Sequence, residues 1–212
     1  MGPGDRRCGR GASEAQRGWY TRVTVGSFID NLGAAAPEQL RARALELGAA
    51  DALVASPDQV ITAEWVRMKC IYGGCRAGQC LTCPPHSPSP SQTRALLDEY
   101  ESVLLLRFDV AGARGGEHLA ASRRGAAVAL QLERELFLAG CHKAFAIAGG
   151  RPCTLDDACG TPEMCDCRES LRPGPAGCGI DVFTTCANAG WPLKVVQGMD
   201  EPYHRLALVL VK

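Results

Sequence analysis

Four cysteines fall within one short stretch, at Cys70, Cys75, Cys80 and Cys83 of CIYGGCRAGQCLTC, and Pro84-Pro85 follows at once. Thiolates are soft donors that select zinc, copper(I) or iron–sulfur clusters. The spacing of Cys75, Cys80 and Cys83 matches the C-x4-C-x2-C run of plant-type [2Fe–2S] proteins, and Cys83-Pro84 matches the Cys-Pro ending of bacterial [4Fe–4S] runs. Sulfurs this close in sequence converge on one centre only if the chain wraps it. Gly73, Gly74 and Gly78 permit that bending. Zinc is the alternative. It favours paired C-x2-C knuckles or a histidine partner, and only Cys80 and Cys83 form such a pair, with His86 the nearest histidine.

A second group holds Cys153, Cys159, Cys165, Cys167, Cys178 and Cys186. Its spacing fits no standard zinc or ferredoxin template, so it points to a metal without naming one. Cys186 lies in a stretch of helical character and reads as a small buried apolar residue. Cys8 and Cys141 stand alone.

Other candidates carry less. His142 and Lys143 in GCHKAF read as the positive end of a helix. Asp181 in CGIDVF reads as a helix cap. His86 and His204 read as exposed loop residues. GARGGEH lacks the Lys-Ser/Thr ending of a phosphate loop. No Ser-His-Asp or paired-carboxylate arrangement stands out.

Composition narrows the classes. The 212 residues balance 23 Lys+Arg against 23 Asp+Glu, which gives no basic footprint for nucleic acid. No stretch approaches the roughly 18 apolar residues of a membrane span. The start, MGPGDRRCGRGASEAQRGWY, has arginines but no apolar run behind them, so it does not read as an export signal. The expected location is the cytoplasm. Disulfides are then a poor account of 12 cysteines, and metal or catalysis a better one.

The elements that must position these thiols are read from periodicity. PEQLRARALELGA has the Leu40, Ala44, Leu47 stripe of a helix, ended by Gly48. SPSQTRALLDEY starts a helix with a serine, EHLAASRRGAAVALQLERELFLAG is the longest helix, and GIDVFTTCANAG is another. DALVASP, SVLLLRFDV, KAFAIAGG, PLKVVQ and RLALVLVK read as strands, with SVLLLRFDV buried and central and the last two an antiparallel pair across GMDEP. The expected fold is α/β or α+β, a mixed sheet of about five strands with packed helices. Residues 1–30 read as a flexible arm. Residues 31–212 read as one domain, with cysteine-rich metal-binding loops at 70–90 and 150–180.

From about residue 37 onward the chain resembles a known family, catalogued as domain of unknown function 2284 and described as a predicted metal-binding protein. The stretches that carry the likeness are ALELGAADALV, VRMKCIYGGC, LTCPPHSPSP, ELFLAGCHKAFAIAGGRPC, CRESLRP and CGIDVFTTCANAG. The resemblance implies a cysteine-ligated centre, foremost iron–sulfur, and carries over onto Cys70, Cys75 and Cys83 and onto Cys153, Cys159 and Cys167. Cys80 is an addition. Where the family shows a C-x2-C pair after the Gly-Gly turn, this chain has Asp156 in the second place. Asp156, Cys165 or Cys178 could then complete a second centre.

The functional expectation is a cysteine-ligated metal protein. It would hold one or two iron–sulfur clusters, [4Fe–4S] foremost, and exchange electrons with a partner protein. Alternatives are an enzyme with an open iron that handles a small-molecule substrate, and a zinc-stabilised interaction domain. The sequence leaves open whether the protein is an enzyme, and it favours neither nucleic acid nor membrane as a partner.

Overall fold

In the computed structural model, residues 37–73, 80–112, 116–149 and 168–211 are described. In chain order the elements are α1 (Pro37–Glu46), β1 (Asp51–Ala55), α2 (Glu64–Tyr72), α3 (Pro90–Leu97), β2 (Val103–Val110), α4 (Glu117–Leu138), β3 (Phe145–Ile147), α5 (Val182–Asn188) and β4 (Tyr203–Leu210). The strands form one sheet in the order β1-β2-β4-β3, antiparallel throughout.

The two central strands are the two most apolar runs. Val103–Leu106 of β2 have no exposed surface, and Leu206–Leu210 of β4 are buried opposite them. Side chains alternate across a strand, so both faces of the sheet must be covered. On one face Leu104, Leu106, Phe108, Ala207 and Val209 pack with Leu40 and Ala44 of α1 and Val128, Leu132 and Leu136 of α4. On the other, Val103, Leu105, Leu208 and Leu210 pack with Val60, Leu97, Cys178, Ile180 and Cys186. Cover on both faces explains why β2 reads as a continuous apolar run.

Local signals set the helix ends. The Ser89 hydroxyl accepts from the Gln92 backbone N–H at 3.2 Å, and the Gln92 carboxamide accepts from the Ser89 N–H at 2.8 Å, a capping box that starts α3. Asp181 accepts from the N–H groups of Phe183 and Thr184 and from the Thr184 hydroxyl, and so caps α5. Helix α1 is tied to α4 by a fork of two bonds, Arg43 Nε to Glu135 Oε2 at 2.9 Å and Arg43 NH2 to Glu135 Oε1 at 2.7 Å.

The architecture is α/β, with five helices and one sheet among the described residues, but three expectations change. Among the described residues the sheet has four strands rather than about five, with no parallel pair. PLKVVQ is not a strand: residues 192–197 run outside the sheet with Val195 and Val196 exposed. The expected hairpin fails because β4 is central, and both of its edges are already taken by β2 and β3. Finally, α2 is a helix in a stretch that reads as loop. Of its residues only Val66 is buried, while Trp65, Met68, Ile71 and Tyr72 are exposed, so no apolar stripe announces it.

Candidate metal centre

Cys70 sits in the last turn of α2, half-buried, and the chain leaves that helix at Gly73. From Cys80 a tight series of turns leads to α3. The Cys83 N–H donates to the Cys80 carbonyl at 3.1 Å, and the N–H groups of His86 and Ser87 both donate to the Cys83 carbonyl, at 3.0 and 3.1 Å. The Pro84–Pro85 peptide is cis. Between the two cysteines, Thr82 is buried. Its hydroxyl lies 3.1 Å from the Cys80 sulfur and 3.7 Å from that of Cys83. The two thiols of the C-x2-C pair are thus gathered about one hydroxyl.

The turn at residues 175–179 docks directly on this loop. The Gly174 N–H donates to the Thr82 carbonyl at 3.3 Å, and the Ser87 hydroxyl donates to the Gly177 carbonyl at 2.7 Å. A Cβ on Gly177 would stand 2.9 Å from the Thr82 carbonyl oxygen, so only glycine permits the approach. Arg67 of α2 completes the joint. Its NH1 donates to the carbonyls of Pro88 at 2.7 Å, Gly177 at 3.2 Å and Ser87 at 3.3 Å. One side chain therefore links the helix that carries Cys70, the loop that carries Cys80 and Cys83, and the turn before Cys178.

The stems of the second cysteine-rich stretch meet at the same place. The Gly149 N–H donates to the Pro173 carbonyl at 3.1 Å, and a Cβ on Gly149 would lie 3.0 Å from the Gly174 Cα. Arg172 is forked onto Glu133 of α4, and Glu133 Oε2 also accepts from the Ala146 N–H at 2.7 Å. Cys75, Cys153, Asp156, Cys159, Cys165 and Cys167 lie outside the described residues.

Cys178 and Cys186 are both buried in the second core cluster. Burial pushes the Cys178 thiol up to about 12, against the pull of Thr93 and of the Arg67 guanidinium, and with a further push from Cys70. Burial likewise raises Cys186 to about 11, with Arg107 pulling the other way. Burial thus disfavours the thiolate form at each. Cys141 is half-buried after α4 and packs against the first core cluster. His86 is exposed, and His204 pairs with Asp109 at 2.7 Å.

The donor chemistry fits a thiolate-bound metal, with Cys80 and Cys83 gathered about one hydroxyl and Cys70 on the helix that Arg67 ties to their loop. Among the described residues, no three His, Cys, Asp or Glu side chains are arranged to hold an ion together. The described part is therefore a partial site and its framework. The model of a family described as a predicted metal-binding protein, domain of unknown function 2284, matches residues 54–211. The chain belongs to this family. The match takes in both cysteine-rich stretches, all four strands but for the first residues of β1, and every helix but α1. No curated protein and no solved structure is detectably similar. No helix among the described residues is long and apolar enough to cross a membrane.

Sequence reasoning passed over the residues that hold this framework together: Arg67, Thr82, Ser87 and Gly177. Arg67 precedes Cys70 by one helical turn, and Thr82 lies inside the C-x2-C pair. Those positions were the available signal.

Proposed function

We propose that the protein is an iron–sulfur carrier of the cytoplasm, with the cluster held by Cys70, Cys75, Cys80 and Cys83, that exchanges electrons with a partner protein. The observation that carries this reading is the pairing of the Cys80 and Cys83 sulfurs about the Thr82 hydroxyl, in a loop closed by turns and braced by Arg67. The cluster would supply one-electron chemistry. The chain's own part is to hold the thiols close, to exclude water with the docked 175–179 turn, and to offset thiolate charge with the Arg67 guanidinium. Family membership supports a metal in general, and the cysteine spacing supports iron and sulfide in particular.

Anaerobic purification followed by iron, zinc and acid-labile sulfide analysis tests the reading. Iron and sulfide should both be present. Cys83→Ser should strip most of the metal, whereas Cys186→Ser, a change in the core, should leave metal content per folded chain unaltered. Stoichiometric zinc without sulfide, under conditions that load clusters, would replace the carrier with a zinc-stabilised domain.

A further inference from the structure

Thr82 has two polar functions that point to different parts of the molecule. Its hydroxyl faces the two sulfurs of the C-x2-C pair, at 3.1 Å from Cys80 and 3.7 Å from Cys83. Its carbonyl faces the other cysteine-rich stretch, where it accepts from the Gly174 N–H at 3.3 Å and is closely approached by Gly177. The residue is buried. A buried hydroxyl seeks a hydrogen-bond partner, and sulfur is the partner this one has. Threonine is β-branched and stiff about χ1, so its oxygen is held toward the sulfurs rather than swinging between alternatives.

We infer that Thr82 is the positioning residue of the first loop: its hydroxyl orients and tunes the Cys80 and Cys83 sulfurs, and its carbonyl fixes their loop to the second cysteine-rich stretch. This rests on the reading of Cys80 and Cys83 as ligands. The argument is one of donor count. As thiols, the sulfurs can give or take a hydrogen bond. As metal-bound thiolates they only accept, and the single hydroxyl proton goes to one of them, Cys80 by distance. That bond draws electron density from the sulfur, and it holds the sulfur where the ion needs it. Partners of this kind, one step out from the metal, govern affinity as well as orientation. The carbonyl arm acts separately. It fixes the main chain between the two cysteines, and so their spacing, whatever the side chain at position 82 does.

The two arms can be tested apart by titrating cobalt(II) anaerobically into the reduced, metal-free full chain. The readouts are the sulfur-to-cobalt charge-transfer band and the dissociation constant. Thr82→Val keeps the shape and removes the donor. It should move the band to lower energy and weaken binding by about 10- to 100-fold. Thr82→Ser restores the donor and should restore the band position, which a purely structural role of the threonine methyl would not do. Gly177→Ala presses on the Thr82 carbonyl but leaves the hydroxyl, so it should weaken binding without moving the band. Circular dichroism of each metal-free variant checks that the fold is intact, and Thr82→Ser keeps the comparison available if the valine variant misfolds.

A Thr82→Val protein with the parent band and an affinity within twofold overturns the hydroxyl role. So does a serine variant that behaves like valine. An unaltered Gly177→Ala affinity overturns the carbonyl role. A parent chain with no sulfur-to-cobalt band at all is a different failure: it removes Cys80 and Cys83 as ligands, and this inference with them.

Discussion

Replacing Arg67 by methionine should cost the fold about 3 kcal/mol. Methionine keeps most of the aliphatic stem against its neighbours and removes the guanidinium. NH1 carries two hydrogens, so the three carbonyls of Ser87, Pro88 and Gly177 share two donors, not three. A hydrogen bond from a charged donor contributes about 1.5–3 kcal/mol net. The site is partly buried, which favours the lower figure, and two such bonds give the estimate. For a chain of this size, about 2–4 °C of melting temperature accompanies each kcal/mol, so the midpoint should fall by about 6–12 °C. Urea unfolding of the metal-free protein gives the free energy directly. Arg67→Lys retains charge and donors on a shorter reach and should recover about half of the loss. The Gly177 carbonyl also accepts from the Ser87 hydroxyl at 2.7 Å. Arg67→Met and Ser87→Ala should therefore be non-additive, since they share an acceptor. A loss below about 1 kcal/mol with strict additivity would refute the claim that Arg67 joins helix, loop and turn.

Other changes have equally definite outcomes. Gly179 has φ of +74° and a Cβ there would lie 2.3 Å from Pro90 Cγ. Gly179→Ala should thus cost about 3 kcal/mol, from roughly 1–2 for the left-handed backbone and 1–3 for overpacking. Gly190→Ala, at φ +76° with nothing within 4 Å, should show only the backbone part in the same unfolding assay. At Glu135 burial raises the carboxyl pKa, but hydrogen bonds from Arg43 and Gln131 outweigh it and leave the group below the usual carboxylate range. A depressed folded value stabilises the fold above the unfolded pKa of about 4.3, and that stability is lost as pH falls through the folded value. The deficit of Glu135→Gln against the parent should therefore be full at pH 7 and shrink below about pH 4.3; a deficit independent of pH would contradict it. Asp181→Ala removes the cap of α5 and should cost about 1–2 kcal/mol by denaturant midpoint, whereas a change below 0.5 would show the cap idle.

Much of the frame is legible one segment at a time. Leu40 and Ala44, Ser89 with Gln92, and Gly48 and Gly140 at helix ends each act within a few residues, through periodicity, a cap or a left-handed turn. The burial of β2 is legible for the same reason, since an unbroken run of Val and Leu has nowhere else to go. The candidate site is legible in part: cysteine type and spacing name Cys70, Cys80 and Cys83, and the resemblance names the family. Helix α2 is hidden because its large apolar residues face outward, which erases the stripe that reveals a helix.

What the sequence by itself determined is local chemistry: which residues can bind a soft metal, where helices start and stop, and which strands must be covered. Tertiary structure alone decided what depends on contacts distant in the chain. It paired β4 with β2 and β3, which left no free edge of β4 for residues 192–197 to pair with. It set Gly177 on Thr82 and Arg67 across both, joining stretches about a hundred residues apart. It placed Cys178 and Cys186 in the core, where burial raises the thiol pKa, rather than on an open loop. No local pattern encodes these outcomes, because each is set by the surroundings that the rest of the chain supplies.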